Sequence, residues 1–278
     1  FGSSHLAQDQ LVLLNLTGRL LAYRWHRMTS RISHIVQHLT ACPCDASVKR
    51  PLCVVVGLGR GGIGDNCAKK FSAEGYNVAM VARRRSNLER LEKEIPNSKG
   101  YSCDVSVPSQ VRSTVDTITK EFGPIEVLIY NAGNGVFKPF LDVSDEEFDN
   151  SFKTNAHGLF SFAKAVAPAM IERGSGVIGV TGATASWRGM PFTPAFAAAK
   201  FALRALAQAL ARDLGPKGVH VFHVIIDGAV SFEGEKPGQM HPMAIADTYF
   251  HLTKQPQSVW AFEVNLAAGG KFGSLLTI

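Results

Sequence analysis

The chain has 278 residues, of which 46% are hydrophobic and 19% charged, and its formal net charge is +6. That is enough apolar material for one sizeable core, and nothing in the composition suggests disorder, a collagen-like repeat or a disulfide scaffold. The basic excess is concentrated at the start: residues 1–50 hold Arg19, Arg24, Arg27, Arg31, Lys49 and Arg50 against Asp9 and Asp45, so the body lacks the charge of a nucleic-acid-binding surface.

Residues 1–50 read as an N-terminal extension. The sequence does not begin with Met, which points to a fragment or a processed form. Leu11 to Met28 is apolar but broken by Asn15, Thr17 and Arg19, too interrupted to span a membrane. Its Arg and Ser content and scarcity of acids leave two readings, an organelle transit-peptide remnant or a poorly ordered extension. Cys42, Cys44, Cys53, Cys67 and Cys103 are an odd, sparse set that fits a reducing compartment, cytoplasmic or organellar rather than secreted. Cys42-Pro43-Cys44 reads as loop cysteines; no second pair stands at zinc-site spacing, and no metal is expected.

The pattern changes at Pro51. Leu52-Cys53-Val54-Val55-Val56 predicts a strand buried on both faces. A glycine cluster follows, then an amphipathic helix from Asp65 to Glu74 that stops at Gly75. Asn77 to Val81 predicts a second strand, and Leu88, Leu91 and Ile95 a helix face. Lys99 to Cys103 reads as a short third strand. Val111, Val115, Ile118 and Phe122 share one face of a helix started near Ser106 and Pro108. Ile125 to Tyr130 is the fourth strand. Ser144-Asp145-Glu146-Glu147 is a capping box for a long helix running toward Glu172. Gly176 to Thr181, a helix over Ala195–Leu214, Val219 to Ile226 and Val259 to Leu266 complete the series. Strands alternating with helices predict βαβ units, hence an α/β fold with one doubly wound parallel sheet of Rossmann type over residues 51–278.

Gly57-Leu58-Gly59-Arg60-Gly61-Gly62-Ile63-Gly64 lies between the first strand and the first helix. A tight turn that brings backbone close to a pyrophosphate has no room for a Cβ, and the helix N-terminus offers free N–H groups to the anion. The second strand ends in Ala82-Arg83-Arg84-Arg85. An acid there would repel a 2′-phosphate, whereas arginine pairs with it, so Arg83 with Arg60 points to NADP(H) over NAD(H).

Gly62-Ile63-Gly64, Asn131-Ala132-Gly133, Asn155 within Thr154-Asn155-Ala156-His157-Gly158, and Lys200 occur in an order and spacing that resemble the short-chain dehydrogenase/reductase family over roughly residues 51–266. The resemblance implies that Asp104 and Val105 border the adenine pocket. It implies that Asn131, Ala132 and Gly133 line the cofactor site, and that Gly228 and Val230 meet the nicotinamide carboxamide in Asp227-Gly228-Ala229-Val230, where Asp227 stands in place of the family's Pro. It departs in the glycine motif, with Gly57 for the usual Thr and Leu58 for the usual first Gly. It also implies a homodimer or homotetramer acting on a small-molecule substrate.

Pro194-Ala195-Phe196-Ala197-Ala198-Ala199-Lys200 has the frame of the family's Tyr-x-x-x-Lys signature. Phe196 occupies the tyrosine position and Ala183 the serine position, while Lys200 and Asn155 are kept. Losing a general acid costs about 10²–10⁴-fold in rate. That is severe for a simple ketone and milder for a conjugated C=C bond, where hydride attacks carbon and water protonates the enolate later. Thr184 and Ser186 are nearby hydroxyls able to hold a substrate oxygen. His157, two residues beyond Asn155, should diverge from it. Phe192, Phe196, Phe232 and Met240 would form an apolar pocket mouth beside the Gly234–Pro242 segment. Two functional readings follow: an NADP(H)-dependent oxidoreductase for an apolar carbonyl or conjugated C=C compound, or a catalytically silent NADP(H)-binding redox sensor or scaffold.

Overall fold

The computed structural model describes residues 49–59, 61–232 and 234–269; the expectations for residues 1–48, Cys42-Pro43-Cys44 among them, lie outside these. Seven strands form one sheet: β1 (Leu52–Val56), β2 (Asn77–Ala82), β3 (Ser98–Ser102), β4 (Val127–Tyr130), β5 (Gly176–Thr181), β6 (Val219–Asp227) and β7 (Glu263–Ala267). Their order is β3-β2-β1-β4-β5-β6-β7, and every pair is parallel. The chain winds outward from β1 to β3, crosses back, and winds the other way from β4, so the strand order reverses between β1 and β4.

Parallel strands need crossovers, and helices supply them. They are α1 (Ile63–Ala73), α2 (Arg85–Glu94), α3 (Pro108–Phe122), α4 (Asp145–Phe152), α5 (Gly158–Glu172), α6 (Pro194–Leu214) and α7 (Pro242–Thr253). Val54, Val56, Leu128 and Tyr130 face a cluster completed by Val115 of α3, Phe162 of α5 and Leu203 of α6. Cys53, Val55 and Ile129 face the opposite cluster, with Phe71 of α1, Leu88 of α2 and Tyr249 of α7. Both sheet faces are therefore covered, which is why the strands read as unbroken apolar runs rather than alternating ones.

Three features depart from the sequence-based expectation. The helix capped by Ser144 is not uniform. Its capping box is present, with Glu147 N–H donating to Ser144 Oγ at 3.2 Å and Ser144 N–H to Glu147 Oε2 at 3.1 Å. A π turn over Lys153–His157 then separates α4 from α5. Second, α7 was not anticipated. Pro242 starts it, and Ile245, Tyr249 and Leu252 bury one face of it. Third, β7 begins at Glu263 rather than Val259, because Gln257–Val259 makes a 3-10 turn. Glu263 is held by a bidentate ion pair with Arg204 of α6, both bonds at 2.7 Å, and by His223 Nδ1 at 2.9 Å. Among the described residues no helix is long and apolar enough to cross a membrane.

Candidate functional site

A cleft of about 430 Å³ opens at the C-terminal ends of β1, β2 and β4. Its floor is the turn from β1 into α1. Gly57 has φ +90°, and a Cβ on it would overlap the backbone of Ala132. Its N–H donates to Val81 O at 2.8 Å, and its carbonyl accepts from Asn131 Nδ2 at 2.7 Å. A Cβ on Gly64 would overlap the Gly57 carbonyl. Backbone from β1, β4 and α1 is thus in direct contact, which only glycine permits. Gly62 caps α1 without a side-chain bond. Ile63 and Gly64 line the cleft, so the first-turn N–H groups remain for an anion. Asp65 braces the loop: its Oδ2 accepts from Gly61 N and Arg90 Nη2, each at 3.0 Å. Burial pushes that carboxyl up, and these two donors oppose the shift.

Of the residues expected to hold a cofactor, Gly57, Gly59, Gly62, Ile63, Gly64 and Arg83 line this cleft. So do Val105, Asn131, Ala132, Gly133 and Val230. Arg60 lies outside the described residues. Arg84, which was not singled out, joins Arg83; both are exposed at the end of β2. Asp104 does not line the cleft. Its Oδ1 accepts from Ser106 N–H at 2.9 Å and Ser106 Oγ–H at 2.7 Å, the turn that starts α3, and Val105 takes the lining position. Burial raises the Asp104 carboxyl, but the two Ser106 bonds and the charge of Arg83 leave it below its ordinary value. Gly228 is exposed with φ +145° and does not line the cleft; Val230, two residues on, does.

A second group gathers beside Gly133. Lys200 of α6 is 4% exposed. Its Nζ donates to Thr181 O at 2.9 Å, and burial pushes its ammonium down to about 8. Asn155 sits in the π turn and is fully buried; its Nδ2 donates to Ser151 O at 2.9 Å and Asn134 O at 3.2 Å. Its Oδ1 has no partner among the described residues. A Cβ on Gly133 would lie 3.2 Å from Asn155 Oδ1 and 3.6 Å from Lys200 Nζ, so the orphan acceptor and the cation converge on the cleft wall. The π turn is fixed by Tyr130, whose hydroxyl donates to Thr154 O at 2.5 Å. His157 is exposed on the outer side of the turn, away from Asn155.

Phe196 lies one turn before Lys200, with its ring centroid 5.8 Å from Nζ and 5.4 Å from that of Phe137. The Ala183 N–H donates to Ser186 Oγ at 3.0 Å. Ser186 is fully buried, which removes it as a substrate contact. Thr184 is also committed: its hydroxyl donates to Asp227 Oδ1 at 2.5 Å instead of facing a substrate. Phe232 lines the cleft and is exposed, and Phe137, which packs against Phe196, is exposed too; Phe192 is exposed but does not line the cleft. Met240, expected at the mouth, is buried at 7% against Gly228.

Comparison with known proteins gives a consistent result. The short chain dehydrogenase family profile matches residues 52–233. A 3alpha-hydroxysteroid dehydrogenase from Mediterraneibacter gnavus is 32% identical over 180 residues, covering 63% of this chain and 72% of the relative. A short-chain dehydrogenase from Rhodopseudomonas palustris superposes with a TM-score of 0.70 at 36% identity, covering 78% of this chain and 97% of the other. An alcohol dehydrogenase from Thermococcus sibiricus, solved with 5-hydroxy-NADP, superposes with a TM-score of 0.71 at 27% identity, covering 79% and 97%.

Proposed function

The chain belongs to the short-chain dehydrogenase family, a family of oxidoreductases, and from that premise we propose that it is an NADP(H)-dependent oxidoreductase acting on an apolar, conjugated C=C compound or an apolar carbonyl. The observation that carries the cofactor reading is the pair Arg83 and Arg84, exposed in the same cleft as the glycine turn. Two guanidinium groups at the end of β2 suit a 2′-phosphate, where an acid would suit a ribose diol. The 5-hydroxy-NADP bound by the Thermococcus sibiricus relative supports the same choice. The cleft also fits the rest of a dinucleotide: a floor with no room for Cβ atoms, uncapped N–H groups at α1, and an unpartnered buried Asn155 Oδ1 beside Lys200.

When bound, the nicotinamide supplies or accepts the hydride. Ile63 and Gly64 N–H groups would hold the pyrophosphate, Lys200 Nζ would hold the nicotinamide ribose, and Asn155 Oδ1, beside Gly133, would hold a water on the proton path. In this reading Phe196 stands where the family's proton donor stands, and a phenyl ring moves no proton. Ala183 likewise has no hydroxyl for a substrate oxygen, and the Thr184 hydroxyl is engaged as a donor to Asp227. Such a site favours a reaction in which hydride reaches carbon and solvent later protonates the enolate. The exposed Phe232 in the cleft and the exposed Phe137 against Phe196 favour an apolar substrate. The exposed Phe148, Phe160 and Phe201 on α4, α5 and α6 support a homo-oligomer built on that face; a monomer mass in solution at micromolar concentration contradicts that part.

The test of the cofactor reading is a pair of NADPH and NADH titrations on the wild type and Arg83→Ala. NADPH should bind more tightly, and the variant should lose about 10-fold or more for NADPH, the worth of one charged hydrogen bond, with little change for NADH. Equal affinities, unchanged in the variant, overturn it.

A further inference from the structure

Asp227 ends β6 and is 7% exposed. Oδ1 takes the Thr184 hydroxyl, and Oδ2 has no hydrogen-bond partner. Among the described ion pairs none includes Asp227, although one holds the other buried carboxylate, Asp65, and two hold the half-buried Glu263. Strand alternation puts Asp227 on the face of β6 that carries His223, the side of the sheet under α6. The Thr184 turn that holds its carboxylate packs there too.

The position of this charge relative to a dinucleotide follows from the fold. Arg83 and Val105, at the ends of β2 and β3, and the N-terminus of α1 all line the cleft. A dinucleotide bound with its pyrophosphate at α1 and its adenosine end by Arg83 would place its other ring toward the ends of β4, β5 and β6, the side of Gly133 and Val230. That ring carries a full positive charge when oxidised and none when reduced. A carboxylate shielded from water and from counter-ions acts on such a charge with little screening. Lys200 on this face keeps its positive charge while bonded to Thr181 O and offsets part of that field. Arg204 is neutralised by Glu263 in the bidentate pair, and His223 is held neutral by burial, with its Nδ1 on the same carboxylate.

We propose that Asp227 is a fixed negative charge beneath the nicotinamide end of the cleft, making this site hold NADP+ more tightly than NADPH. The inference rests on the NADP(H) reading above and adds a redox preference to it. Asp227 acts through its field and not as a catalytic residue, because its free oxygen is sealed from the cleft. The consequence in turnover is slow release of NADP+ in the reducing direction, and a cofactor ready for oxidation in the other.

The experiment is calorimetric titration of the full chain with NADP+ and with NADPH, each alone, on the wild type, Asp227→Asn and Thr184→Val. Asparagine keeps the shape and the acceptor for Thr184 while removing the charge. The wild type should bind NADP+ more tightly. Asp227→Asn should weaken NADP+ about tenfold, the equivalent of about 1.4 kcal/mol, and leave NADPH within about twofold, the scatter of uncoupled sites. Thr184→Val, which keeps the charge, should keep the preference. Equal losses for both dinucleotides in Asp227→Asn would mean a structural role and overturn the inference. If that variant does not fold, a wild type that binds NADPH at least as tightly as NADP+ overturns it. Failure of both dinucleotides to bind the wild type removes the NADP(H) reading and this inference with it, whereas tight binding without a charge effect removes this inference alone.

Discussion

Replacing Lys200 by Met should make the cofactor-free protein more stable. The ammonium is buried against the end of β5, and burial alone brings it from 10.5 to about 8. At 1.36 kcal/mol per tenfold, that gap corresponds to roughly 3 kcal/mol of cost for holding the charge at neutral pH. Methionine has similar length and no charge, so the cost disappears. What is lost is one hydrogen bond, Nζ to Thr181 O at 2.9 Å, worth about 1 kcal/mol. The net gain is about 2 kcal/mol, or about 4–8 °C in Tm for a domain of this size. The pH dependence supplies the sign check. The folded-state value lies below the unfolded one, so the unfolded chain binds the extra proton between about 8 and 10.5. Wild-type stability therefore gains from this group as pH rises through that window, and the advantage of the variant shrinks over the same interval. Urea unfolding of both proteins at pH 7 and pH 10, each without cofactor, measures it. A variant less stable than the wild type at pH 7, or a difference that does not narrow toward pH 10, refutes the reasoning. The same variant should bind NADPH more weakly, which separates a residue kept for a ligand from one kept for the fold.

Other outcomes follow from the same geometry. Gly57→Ala places a Cβ on the Ala132 backbone at a φ of +90°; it should cost about 3 kcal/mol or more and abolish NADPH binding, and normal binding by the variant would show that the turn can yield. Phe196→Tyr with Ala183→Ser should raise ketone reduction by about 10²–10⁴-fold if a missing proton donor limits the site; steady-state rates on a simple apolar ketone decide this, and no gain would place the limit elsewhere. Burial holds His223 below 6.5, and Glu263 sits below 4.5 because Arg204 and His223 outweigh its own burial. The unfolded chain therefore takes up His223's proton first, and stability should fall as pH drops through 6.5 and again as Glu263 is protonated. Urea midpoints from pH 7.5 to 4 check it, and His223→Gln should remove the first loss; an unchanged profile in that variant contradicts the assignment.

The parts of the fold that were legible in the sequence are those specified by neighbours along the chain. Leu52–Val56 announces a two-face-buried strand by composition alone, Ser144 and Glu147 announce a helix start, and Phe196 and Lys200 share a face because they are one turn apart. The illegible parts depend on residues far apart in sequence. The π turn carrying Asn155 is held by Tyr130, 24 residues away, and nothing in Lys153–His157 itself signals it. Half-buried β7 is anchored through Glu263 to Arg204 on another element, so its start could not be read from local apolarity. Helix α7 lay hidden because its buried positions, Pro242, Ile245, Ala246, Tyr249 and Leu252, follow directly on a Gly/Pro-rich segment that reads as loop. In the site, the glycine turn and the arginines at the end of β2 were readable as residue types. The diversion of Thr184 to Asp227 and of Asp104 to Ser106 depends on side-chain geometry that spacing does not encode.

The central claim is that this cleft moves hydride between NADP(H) and an apolar conjugated substrate without a phenolic proton donor. The direct measurement is turnover with NADPH deuterated at the transferring position, against apolar ketones paired with the matching enones, with products read by mass and by NMR. The account predicts NADPH oxidation with the enones, deuterium at the β-carbon, a solvent-derived proton at the α-carbon, and much slower turnover of the ketones. Tight NADPH binding with no oxidation across the pairs, or ketones reduced as fast as enones, contradicts it.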